Sequence, residues 1–207
     1  MAATVDALLP LSFLEAVRNI DSPQGDFEAE LTHELRNKRF GLSDTVYAQI
    51  RRYTDLVKRK ERPSVDEAVA LARLLGRRPD AEAVFREAGR HMARESYLTI
   101  SPFRRRMMEL LPSLIARPIA LRQFKRIAER FLNGQLTRMG SFVLLSVPES
   151  VTLDSAPRAV GCAYYESAFR ELLRLLINGA GAIEHVRCGA RGEGSCEWRA
   201  EWRSGAR

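Results

Sequence analysis

Residues 182–202 read AIEHVRCGARGEGSCEWRAEW, and this stretch decides the fold class. Cys196, Trp198, Ala200 and Trp202 alternate with Glu197, Arg199, Glu201 and Arg203. A period of two with one apolar and one charged set is the pattern of a strand whose sheet has one wet face. Ala182 to Arg187 forms a second candidate strand, and Gly189 to Gly194 joins the two as a glycine-rich hairpin connection. Upstream, Ser141 to Val147 is rich in β-formers and stopped by Pro148, so it is a third strand; Val151-Thr152-Leu153 is a short fourth candidate. Between them Tyr164 to Ile177 has a helical stripe of Tyr165, Phe169, Leu172, Leu173 and Leu176.

The preceding two-thirds reads as helices. Leu11, Leu14 and Val17 recur at helical spacing within Leu8 to Ile20, which Asp21-Ser22-Pro23-Gln24-Gly25 terminates. Ser43 is a candidate N-cap for a helix to Arg59, and Ser64-Val65-Asp66-Glu67 is a capping box opening a short helix to Gly76. Further helices are expected from Pro79-Asp80, from Ser101-Pro102, and from Arg117-Pro118 to Asn133, with Gly134 as left-handed cap. The expected architecture is α+β: N-terminal helices followed by a small antiparallel sheet with one packed C-terminal helix.

With 207 residues, 45% hydrophobic and 29% charged, the chain can bury a substantial core, and its composition excludes disordered, collagenous and disulfide-dense classes. Its longest apolar runs are interrupted by Arg174 and end at Asn178, too short for a membrane span, and the N-terminus lacks the basic start of a secretory signal. A cytoplasmic location is expected. The net charge of +7 is concentrated: residues 101–140 carry nine cations against two acids, and the rest of the chain is balanced. Arg104, Arg105, Arg106, Arg117, Arg122, Lys125, Arg126, Arg130 and Arg138 form this basic band, suited to an anionic ligand or an acidic protein partner. No recognition helix or stacking platform accompanies it, so nucleic acid is not an expected partner.

Three cysteines in a reducing compartment point to a metal site or to buried thiols. Closing the hairpin brings Cys188 to Cys196, and packing the helix start on the sheet brings Cys162 to the same place. Structural zinc takes four donors, so one more is required, from His185 or its competitor Glu184.

The sequence Gly161-Cys162-Ala163-Tyr164-Tyr165, with Phe169, then Glu184 to Gly192, then Ser195-Cys196-Glu197-Trp198, resembles the 4-vinyl reductase domain family. That family includes the J-type bacteriochlorophyll 4-vinyl reductase proteins and the sensory domains of phenol- and xylene-responsive activators. Its fold is that of the ligand-binding domains of NO signalling and Golgi transport, shared with core subunits of the TRAPP tethering complex. The likeness spans residues 80–203 and is closest in 161–198, leaving residues 1–78 as an N-terminal helical extension before a ligand-binding domain at 79–203. In the phenol sensors three cysteines at similar spacing and an acidic residue hold zinc, and His185 stands here in the acidic position. The resemblance implies zinc at Cys162, Cys188, Cys196 and His185, and a homodimer.

It also implies a pocket between helices and sheet for a planar, apolar molecule such as a porphyrin. Phe103, Met107, Phe124, Ile127, Phe131, Tyr164, Tyr165 and Phe169 are candidate walls, and Arg122 and Arg126 a candidate rim for its carboxylates. The first expectation is thus a non-enzymatic, zinc-containing tetrapyrrole-binding protein, a carrier in bacteriochlorophyll biosynthesis. The alternatives are a 4-vinyl reductase acting on chlorophyllide precursors and a TRAPP-like protein-interaction module. No dinucleotide-binding turn, iron–sulfur cysteine run or catalytic pairing of His33, His91 or His185 is present, so no catalytic residue is assigned and a reductase would need an external reductant.

Overall fold

The computed structural model describes residues 3–22, 43–179 and 181–202. Pro23-Gln24-Gly25, His33 and the terminal Arg203 to Arg207 lie outside these residues. Within them are seven α-helices and one four-stranded antiparallel sheet, an α+β architecture as expected. The helices are α1 (Leu8–Asp21), α2 (Asp44–Arg59), α3 (Val65–Gly76), α4 (Ala81–Leu98), α5 (Pro102–Leu110), α6 (Ser113–Phe131) and α7 (Cys162–Ile177). The strands are β1 (Gln135–Met139), β2 (Phe142–Val147), β3 (Ile183–Arg187) and β4 (Cys196–Glu201), in the order β1-β2-β4-β3.

The centre of the molecule is the packing of α4 on α7. Gly89 of α4 makes it possible: a Cβ there would stand 2.2 Å from the Tyr164 carbonyl oxygen and 2.1 Å from Ser167 Oγ. α1 lies against α4 and is buried on most of its surface, more than its three-residue stripe predicts, because Leu8, Leu9 and Phe13 are also inside. Phe13 touches Phe85 of α4 and Tyr164 of α7 edge-on, at centroid distances of 5.9 and 5.2 Å. One hydrophobic core therefore runs continuously through residues on both sides of position 78.

Side-chain caps and ion pairs fix the helix ends. Ser43 and Ser64 accept hydrogen bonds from Val46 N and Glu67 N, as their sequence contexts predict. The reciprocal half of the capping box is replaced, since the Glu67 carboxylate accepts instead from Tyr53 Oη at 2.6 Å and pairs with Arg52, tying α3 to α2. Arg78 bonds both oxygens of the buried Asp21 at 2.7 and 3.0 Å and also Asp80, locking the end of α1 to the start of α4.

Four local expectations are corrected. α6 begins at Ser113 and carries Pro118 within it, so that proline costs one helical hydrogen bond without starting the helix. The left-handed residue after α6 is Asn133 (φ 50°); Gly134 instead permits close approach to β2, where a Cβ would lie 3.0 Å from the Ser146 carbonyl. Val151-Thr152-Leu153 is a turn pinned beside α7, and the additional strand is β1, whose single buried residue Leu136 gave too weak an alternation. The helix predicted from Tyr164 begins at Cys162.

One sheet face, carrying Val143, Leu145, Val147, Cys196, Trp198 and Ala200, is buried. Tyr165 of α7 stacks on Trp198 at 5.4 Å. Across the opposite, wetter face Arg199 pairs with Glu184, and Arg187 with Glu197.

Candidate metal centre

The three cysteines arrive at one point from three elements. Cys162 is the first residue of α7, Cys188 follows β3, and Cys196 opens β4. All three are buried as free thiols. Their sulfurs and a ring nitrogen of His185 lie within 4.8 Å of one another.

A break in the β3–β4 ladder places the histidine. In a regular strand, residues three apart point to opposite faces. Here His185 pairs with Trp198 and Arg187 with Glu197, so Val186 is an extra residue and the register shifts. This bulge reverses the alternation, and both His185 and Cys188 turn toward Cys196. Glu184, before the bulge, is exposed and bonds Arg199 Nη2 at 2.6 Å, so the carboxylate competitor is engaged away from the thiols.

Supporting contacts hold each donor. Gly161 lies so close to the 151–156 turn that a Cβ would stand 2.1 Å from the Thr152 carbonyl, and Thr152 Oγ1 donates to the Gly161 carbonyl at 2.7 Å. That clamp sets the height of Cys162. Cys188 N–H donates to the Glu193 carboxylate at 2.7 Å, closing the hairpin turn, and Gly189 N–H donates to Cys196 Sγ at 3.3 Å. The His185 ring is held flat against Trp198. Thr152 and Glu193 were given no role from sequence, and Trp198 was read only as a strand residue and part of the family resemblance; a lone acid inside the glycine-rich turn was the available signal for Glu193.

The Cys196 thiol is held below its usual range because the Cys162 thiol and the Gly189 N–H both donate to its sulfur, with His185 adding to the effect. Cys162, the donor to Cys196, is pushed up by that bond and by burial. His185 Nε2 is buried with no hydrogen-bond partner, a costly state for a polar atom unless something binds it. Cys162 Sγ and Cys188 Sγ are 3.9 Å apart. Two thiolates bound tetrahedrally at about 2.3 Å from one ion would be about 3.8 Å apart. The donor set therefore fits one metal ion with four protein ligands. Such a shell is closed and suits a structural site.

Comparison of the chain with protein-family models, with curated proteins and with solved structures finds no match.

The candidate ligand-binding residues divide into three groups. Phe124, Tyr164, Tyr165 and Phe169 are fully buried and packed on one another, with Phe124 and Phe169 5.6 Å apart and Tyr164 and Tyr165 5.0 Å apart. They belong to the core that links helices and sheet. Ile127, Phe131 and Arg126 line an open cleft of about 510 Å³ beside α6, together with Arg62, Thr99, Ile100, Arg104, Gln123, Glu129 and Arg130. Phe103, Met107 and Arg122 lie outside that cleft, and Phe103 and Arg122 are exposed.

Arg130 in the cleft is paired with Asp6 at 3.1 Å, and Arg62 bonds the Thr4 carbonyl. Arg104 and Arg126 have no acidic partner among the described residues, and Gln123 beside them is buried. This is a basic cleft with an apolar floor.

Proposed function

We propose that this chain is a non-enzymatic small-molecule-binding protein whose sheet and C-terminal helix are stapled by a structural zinc ion. The ion is held by Cys162, His185, Cys188 and Cys196, and binding it supplies folding free energy rather than chemistry. The observation that carries the reading is the cluster of three buried thiols with the half-buried His185, whose Nε2 has no hydrogen-bond partner. Zinc is the choice because a tetrahedral site of three sulfurs and one nitrogen suits it, and no donor is a hard oxygen.

The ligand seat is the arginine-lined cleft rather than the space under the sheet, which the aromatic side chains occupy. Its guanidiniums favour carboxylate or phosphate groups, and Ile100, Ile127 and Phe131 favour an apolar body. A tetrapyrrole bearing propionates combines both, in keeping with the resemblance to the 4-vinyl reductase domain and a carrier role in bacteriochlorophyll biosynthesis. Titration of the zinc-loaded protein with magnesium protoporphyrin, followed by its visible spectrum, tests this. A saturable shift that salt weakens supports it; no saturable shift overturns the ligand assignment while leaving the metal assignment standing.

A further inference from the structure

We propose that the corner formed by α5 and α6 docks the protein on anionic lipid surfaces. Exposed large apolar side chains are concentrated there: Phe103 is 73% exposed, Leu110 71%, Leu114 86% and Ile115 53%. No residue of α5 is buried. At 100° per residue, Phe103, Met107 and Leu110 share one face of α5, while Arg105 and Met108 point the other way. The structure agrees, for Arg105 lies over the Tyr97 ring at 5.7 Å and Met108 packs against the core. The apolar face is therefore the one turned outward, and Arg104 and Arg106 flank it without acidic partners among the described residues.

Charge and shape select the occupant. The basic band holds the entire charge excess of the chain, so its complement is anionic. The apolar side chains stand exposed on two consecutive helices, and lipid accepts such side chains a few ångströms below the headgroups without a matching cavity. A second copy docked by this face would set one arginine-rich rim against another. Lipid insertion of Phe103 and Leu114 with arginines at the phosphates satisfies both sets of groups. The inference is independent of the metal centre, and it shares only Arg104 with the cleft.

The test is flotation of the full, metal-loaded chain with phosphatidylcholine vesicles or mixed phosphatidylcholine–phosphatidylglycerol vesicles. Binding to the mixed vesicles is expected to be at least about tenfold tighter than to the neutral ones and to weaken as salt rises. Phe103→Ser with Leu114→Ser, and separately Arg106→Glu, are each expected to lower it about tenfold or more without altering the thermal melt. Leu110→Ser gives a second apolar variant should the first melt early. Absence of flotation, equal binding to both vesicles, or binding that every variant retains overturns the proposal. So does self-association in ultracentrifugation that Phe103→Ser with Leu114→Ser abolishes while no vesicle is bound.

Discussion

His185 lies face to face with its cross-strand partner Trp198, ring centroids 4.7 Å apart and planes 7° from parallel. The stack fixes the imidazole plane and leaves its ring edge to meet the cysteines. His185→Gln is expected to weaken metal binding by more than the roughly 100-fold upper range seen for residues that merely support a ligand. Trp198→Phe, which keeps an aromatic face beside the ring, should cost about tenfold. Competition with a chromophoric chelator measures both.

Metal binding should release protons and weaken as pH falls, because thiols bind as thiolates. The bond it donates to Cys196, together with burial, pushes Cys162 up, so proton release from that thiol is expected to accompany metal binding. Calorimetric titration in buffers of different ionisation enthalpy should show net proton release, and affinity should decline steadily below neutrality.

Glu171, on α7, accepts from both Arg174 and Arg94, and these bonds pull its carboxyl down to about 2 despite its burial. A depressed carboxyl contributes stability that is present above its unfolded pKa and is lost as pH falls through its folded one. Both arginines are more than half exposed, so Glu171→Gln is expected to cost only about 1 kcal/mol at neutral pH. Urea melts should show that difference closing between the ordinary glutamate range and about pH 2.

At Gly89 the neighbouring atom is a backbone oxygen, which cannot swing away. Gly89→Ala gains helix propensity but forces α4 off α7. The expected net loss is about 3 kcal/mol or more, at the upper end of overpacking costs. The thermal midpoint checks it, with the exposed Ala83→Gly as a propensity control.

In the cleft, Arg126→Ala removes a guanidinium with no acidic partner among the described residues. Affinity for a dicarboxylate tetrapyrrole should fall about tenfold, as expected for one charge-assisted hydrogen bond, with metal content unchanged. Equilibrium spectral titration reads the first and metal analysis the second.

How far these features were legible in the sequence depends on which kind of periodicity each one needs. Alternation along Cys196 to Trp202 identified β4 and, with it, the meeting of Cys188 and Cys196. Whether His185 or Glu184 joined them depended on strand parity, which the bulge at Val186 reverses, and no side-chain pattern announces a bulge. Helical spacing turned Tyr165 and Phe169 inward, where the structure has them, but spacing carries no information on whether such residues wall a ligand seat or only pack on one another. β1 escaped notice because one buried leucine in five residues makes no alternation. Likewise Phe103 counted as a wall residue by its type alone, and the helix carries it to the outside.

Metal stoichiometry of the freshly purified chain, followed by cobalt substitution, measures the central claim. The predicted result is one zinc per chain, with Co(II) giving a tetrahedral visible band and intense sulfur-to-metal absorption that Cys196→Ser diminishes. A chain that folds with no bound metal, while Cys162, Cys188 and Cys196 react freely with a thiol reagent, contradicts it.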